Sequence, residues 1–227
     1  MKTWMIYVAV AVVMMLIFVA FSLLKKKYIK DMSKVLYVDN DVDTYLNRLD
    51  NIEGKIFLNK IVRLFRKIDG FAIKNDVQGV VDTFKQLESL KLSFGQEVSL
   101  YEKEVDFYIN NKMYEQAKVS NDKVQELSSR VEIPDLQKIA DNCNALIDIY
   151  VNKNGKLANE MVKMGDEATI ETVKGTYYFR AAKCFYYKKD NKMVEKYLNK
   201  ALKNLNKTSW GPIIAECIED HSQLENH

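Results

Sequence analysis

Two prolines and eight glycines in 227 residues leave little material for tight turns. That scarcity argues against a β-sandwich and favours helices. Cysteine is scarce too. Cys143, Cys184 and Cys217 are odd in number, widely spaced and without a CxxC pair, so reduced thiols are expected rather than a disulfide framework. His221 and His227 are the only histidines, and neither has an HExxH or a second ligand beside it. There is no G-x-G-x-x-G, no phosphate-binding loop and no G-x-S-x-G. No catalytic residue, metal or cofactor is expected, and the chain does not read as an enzyme.

Charge of one sign is missing from the body as well. The net charge is +3. Residues 1–34 hold six lysines against Asp31 and carry +5, so residues 35–227 carry −2. A near-neutral body lacks the basic face that nucleic acid requires.

Trp4 to Leu24 is a run of 21 residues with no charge, followed at once by Lys25, Lys26, Lys27 and Lys30. At about 1.5 Å per residue a helix of this length matches the roughly 30 Å hydrocarbon core of a bilayer. The run is long for a signal peptide, and FVAFSLL lacks the small residues of a cleavage site. The expectation is a transmembrane helix over 4–24, a short extracytoplasmic N-terminus over 1–3, and a basic collar and linker over 25–40. Lysine excess after the run places the body in the cytoplasm, N-terminus outside. The preference for lysine over arginine suggests a bacterial plasma membrane. The collar lysines also suit anionic lipid.

The remaining chain, 41–227, reads as helices in series. Apolar spacing predicts helices over roughly 42–51, 55–74, 76–90, 93–111, 113–127, 134–150, 156–165, 168–188, 192–206 and 213–221, with Gly54 as a breaker. Connections are short, so consecutive helices are expected to lie antiparallel.

Helical hairpins in series invite a search for a period. Over Tyr178–Asn206 the order Tyr178, Ala181, Ala182, Phe185, then Val194, Leu198, Ala201 and Asn206, resembles the tetratricopeptide repeat family. KMYEQA at 112–117 is similar to the family's G-x-Y-x-x-A turn, with Lys112 in place of glycine. Asn121 departs from the pattern where phenylalanine is expected. The family's tyrosine position falls at Phe71, Tyr108, Tyr150 and Phe185. The resemblance covers roughly 55–206 and implies an all-α solenoid of about four degenerate repeats with capping helices.

The resemblance further implies a concave groove that binds a protein or peptide partner. Its positions carry over to Thr176, Phe179, Lys183, Tyr186 and Tyr187 in the last unit, and to Ser99, Glu102, Asp106, Ile109 and Asn110 in an earlier one. Aromatics are favoured anchors at interfaces, and the same tyrosines also suit packing on the neighbouring hairpin. Phe179–Lys183 and Glu102–Asp106 do not match the family's carboxylate clamp, so chaperone tails are not implied. Glu102 and Asp106 lie four apart on one helix face, which suits a solvated face better than a cation.

The functional expectation is a membrane-anchored helical-repeat adaptor that contacts the lipid bilayer through 4–24 and recruits a partner to the cytoplasmic face. Two alternatives stand beside it. One is an exported ligand-binding or surface domain behind a signal peptide. The other is a self-associating structural membrane protein.

Overall fold

A computed structural model describes residues 3–227, except the side chains of Thr3, Met5, Ile6 and Ala9. Met1 and Lys2, which begin the expected extracytoplasmic N-terminus, lie outside the described residues. The described residues are helical throughout, without a strand. They form two compact units, Met1–Phe94 and Gly95–His227.

The first unit holds α1 (Thr3–Tyr37), α2 (Val42–Asp50), α3 (Ile52–Phe57), α4 (Lys60–Ile73) and α5 (Val77–Glu88). Here the anchor expectation needs correction. Among the described residues no helix is long and apolar enough to cross a membrane. The helix also does not end at the lysines. It runs on through the expected linker, and Tyr28, Met32 and Leu36 recur every four residues on one face and are buried. They form a core with Tyr45, Leu49 and Leu58. The Tyr28 hydroxyl donates to the Arg48 carbonyl at 2.7 Å. The apolar half remains uncovered: every described large apolar side chain from Trp4 to Leu24 is exposed, from 41% at Phe21 to 73% at Phe18.

The expected break at Gly54 is not there. Gly54 lies inside α3, and a Cβ on it would meet the Arg48 and Leu49 carbonyl oxygens at 2.5 Å. Glycine is used for this close approach between α2 and α3. The first break comes three residues earlier, at Asn51 between α2 and α3, and a second comes at Leu58–Asn59, where the Asn59 side chain accepts from the Val62 N–H at 2.9 Å and starts α4. Asp41, Asn51 and Asp76 cap α2, α3 and α5 in the same way.

The second unit holds α6 (Phe94–Asn110, from Gly95 onward), α7 (Tyr114–Ser129), α8 (Pro134–Leu146), α9 (Ala158–Glu167), α10 (Glu171–Tyr187), α11 (Asn191–Leu205) and α12 (Trp210–Glu219). A π turn over Ile147–Val151 prolongs α8, and a 3-10 turn over His221–Glu225 follows α12. Helices adjacent in sequence pack together: α7 on α8, α10 on both α9 and α11, α11 on α12. This repeat-like packing is compatible with an α-solenoid. Ala181 and Ala182 let α10 nest closely, and Phe185 stacks on Tyr197 at 5.5 Å.

One turn recurs along the chain. Asn75, Lys112 and Lys189 have φ of 56°, 57° and 60°. After each, the next N–H reaches back five residues to the carbonyls of Phe71, Tyr108 and Phe185. This is a Schellman ending, usually closed by glycine. The accepting residues are those that align with the family's tyrosine position, and Lys112 stands where the family has glycine. At two further turns, Asn40 with φ of 52° and Lys153 with φ of 49°, the next N–H reaches back one residue further, to the carbonyls of Val35 and Asp148. Asn121, the departure from the pattern, is buried. It donates to Asn144 on α8 at 2.9 Å, so amides replace an aromatic ring between α7 and α8.

Candidate functional site

In the second unit α6, α10, α12 and the π turn surround two adjoining cavities. The first, about 250 Å³, is lined by Asp106, Ile109 and Asn110 of α6, Leu146 and Tyr150 at the end of α8, Thr176, Phe179 and Arg180 of α10, Leu205 and Trp210. The second, about 240 Å³, shares Ile109, Asn110, Tyr150 and Trp210 and adds Lys112, Tyr114, Lys183, Ile213 and the C-terminal residues Glu225, Asn226 and His227. The shared walls make them two lobes of one cleft. The π turn brings Tyr150 between them, a use often made of such irregular turns.

The first lobe pairs opposite charges. Asp106 is reached by solvent through the mouth yet hemmed in by protein, and this desolvation raises its carboxyl pKa against the pull of Arg180. Arg180 donates through Nη1 to Asn142 at 3.3 Å and lies over the Tyr177 ring at 5.7 Å. Its Nε is buried and, among the described residues, has no hydrogen-bond partner. The guanidinium sets a fixed positive charge beside the cavity, with the Tyr150 hydroxyl against it.

The second lobe centres on Lys183, only 2% exposed. Its Nζ donates to the Leu224 carbonyl and lies 5.0 Å from the Tyr150 ring centre and 5.8 Å from that of Tyr187. Burial brings its pKa down to about 8. The Tyr186 hydroxyl meets the Glu225 carboxylate at 3.3 Å, which Lys153 also holds at 3.1 Å.

Asp106, Ile109, Asn110, Thr176 and Phe179 line the first lobe, and Lys183 the second. Phe179 and Lys183 are core residues rather than exposed grips, because α12 and the C-terminal turn cover them; Phe179 packs on Trp210 at 5.3 Å. Tyr186 and Tyr187 are half-buried and meet edge to face at 5.8 Å, with Tyr186 engaged by the C-terminal turn. Glu102 and Ser99 line neither lobe. The carboxyl pKa of Glu102 is raised by burial and by Asp106. Lys25, Lys26, Lys27 and Lys30 are exposed along α1. Sequence reasoning missed Arg180 and Trp210; a tryptophan ahead of Gly211-Pro212 at a helix start was the available signal for the second.

The three cysteines are buried and free, with thiols pushed up to about 12 at Cys143 and Cys184 and about 11 at Cys217. Thr176 donates its hydroxyl to its own helix at Thr172. The cleft thus offers charge pairing, hydrogen bonding and aromatic contact. No family profile, curated protein or solved structure matches the chain.

Proposed function

We propose that this chain is a helical-repeat scaffold of the tetratricopeptide type, which holds a protein or peptide partner in the cleft of its second unit. The carrying observation is the cleft itself: Asp106 and Arg180 face a cavity of about 250 Å³ walled by Tyr150, Phe179 and Trp210. Opposite charges framed by aromatics suit the polar groups and side chains of a peptide. We read the site as binding without converting, since no cysteine lines either lobe and the Thr176 hydroxyl is engaged by its own helix.

The lipid bilayer is the second proposed contact, made through residues 4–24. Exposed apolar side chains from Trp4 to Leu24 form a patch of the kind that marks an interaction surface. The neighbouring Lys25, Lys26, Lys27 and Lys30 suit anionic headgroups. The second unit is then held at the cytoplasmic face of a plasma membrane, bacterial by composition. Tethering raises the local concentration of whatever the cleft holds.

A photo-crosslinking residue in place of Thr176, at the cleft mouth, tests the partner reading in living cells. A discrete adduct that Arg180→Gln abolishes supports it. An adduct that persists in that variant, or none, contradicts it.

A further inference from the structure

The C-terminal residues occupy one end of the cleft in a manner that specifies what the cleft takes. Leu224 is fully buried in the core of the second unit, and its carbonyl receives the Lys183 ammonium. Glu225 is held by Lys153 and by the Tyr186 hydroxyl, and together with Asn226 and His227 it walls the second lobe. Residues that the repeat pattern assigns to peptide binding, Lys183 and Tyr186, thus already grip a peptide segment, the chain's own.

The grip is incomplete in one respect. Among the described residues Lys183 makes no ion pair, although it is a buried amine. A neutral carbonyl and two ring faces compensate a cation less well than a carboxylate does. The contacts to Glu225 are about half exposed, so they add little. A competitor that keeps the leucine contact and sets a carboxylate on Lys183 gains an interaction that the resident segment lacks.

We propose that the turn His221–Glu225 is the resident occupant of this end of the cleft, displaced by a peptide that seats an apolar side chain in the Leu224 position and a carboxylate on Lys183. This rests on reading the cleft as a peptide site, and it names the class of peptide. The resident turn then acts as an intramolecular competitor, favoured by its tether until a better-charged ligand arrives.

The test uses the full chain and a fluorescent peptide, EDHSQL, which repeats Glu219–Leu224 and ends in a free carboxylate at the leucine. Fluorescence anisotropy should show at least tenfold tighter binding to Leu224→Ala than to the unaltered chain. The amidated peptide should bind at least tenfold more weakly than the free acid, and Lys183→Met should remove that difference. Equal binding by Leu224→Ala and the unaltered chain, or by acid and amide, overturns the proposal. If Leu224→Ala loses helical circular dichroism, Glu225→Gln replaces it, with a gain of at least threefold expected and equality overturning the proposal. The Thr176 adduct in cells is read separately. Its absence with peptide binding intact removes the cellular partner alone, whereas its presence without peptide binding removes this seat alone.

Discussion

Lys189 holds a left-handed backbone conformation, φ 60°, in the turn between α10 and α11. A side chain there costs about 1 kcal/mol relative to glycine, less glycine's greater entropy loss on folding. Lys189 is exposed and lines neither lobe of the cleft. Lys189→Gly is therefore expected to stabilise the chain by about 0.5–1 kcal/mol in urea titration. Lys183 makes a prediction of a different kind. Its pKa falls to about 8 in the folded chain from an ordinary 10.5. Between those values the unfolded chain keeps a proton that the folded chain has lost. The contribution of Lys183 to stability therefore rises with pH from about 8 to 10.5 and falls as pH returns toward 8. Tyr150, Tyr187, Glu225, Lys153 and Cys217 surround the amine, and the tyrosines and Cys217, raised by burial from ordinary values of 10.0 and 9.0, act in the opposite direction over the same window. Lys183→Met should remove that rising term, so that stability falls more steeply with pH than in the unaltered chain when thermal melts of the two are compared across that range. The repeat-like spacing singled out Lys183 in the sequence, and it lines the second lobe. The spacing did not show the burial, which depends on a turn 41 residues away.

At the scale of elements, α1 departs most from expectation. Its second half carries Tyr28, Met32 and Leu36 among lysines, and local charge hid a stripe of period four. Met32 has no exposed surface, so Met32→Ala should cost about 2–4 kcal/mol in the unfolding of the first unit. A true linker would lose nothing. Gly54 offers a sharper case, since elsewhere in a helix alanine is the better residue. Here a Cβ would press on two backbone oxygens at 2.5 Å, and Gly54→Ala should destabilise by about 1–3 kcal/mol. Helix existence was legible from apolar spacing in nearly every case, for instance α5 and α11. The junction at Asn59 was not, because the stripe through Ile56, Phe57, Ile61 and Leu64 runs straight across it. The π turn at Ile147–Val151 left no mark in the sequence, since its extra residue keeps Ile147 and Ile149 buried.

For the molecule as a whole, composition pointed to the exposed apolar run, and chain order to hairpins in series. The division at Phe94–Gly95 left no trace in composition. If lipid meets residues 4–24, changing Lys25, Lys26, Lys27 and Lys30 to Gln should weaken flotation with anionic vesicles by up to about 1 kcal/mol per lysine, most strongly at low salt. Equal flotation at all salt concentrations would remove the lysines from the membrane contact. The cleft is where α6, α10 and α12 bring together residues far apart in sequence. Its most direct measurement is the yield of photo-adduct in cells from a crosslinker at Thr176, compared with one at Lys192, which is exposed and lines neither lobe. A single adduct is expected at Thr176, none at Lys192, and a loss of at least tenfold on Arg180→Gln with helical content unchanged. Equal yields at the two positions, or a Thr176 adduct indifferent to Arg180, would contradict the partner reading of the cleft.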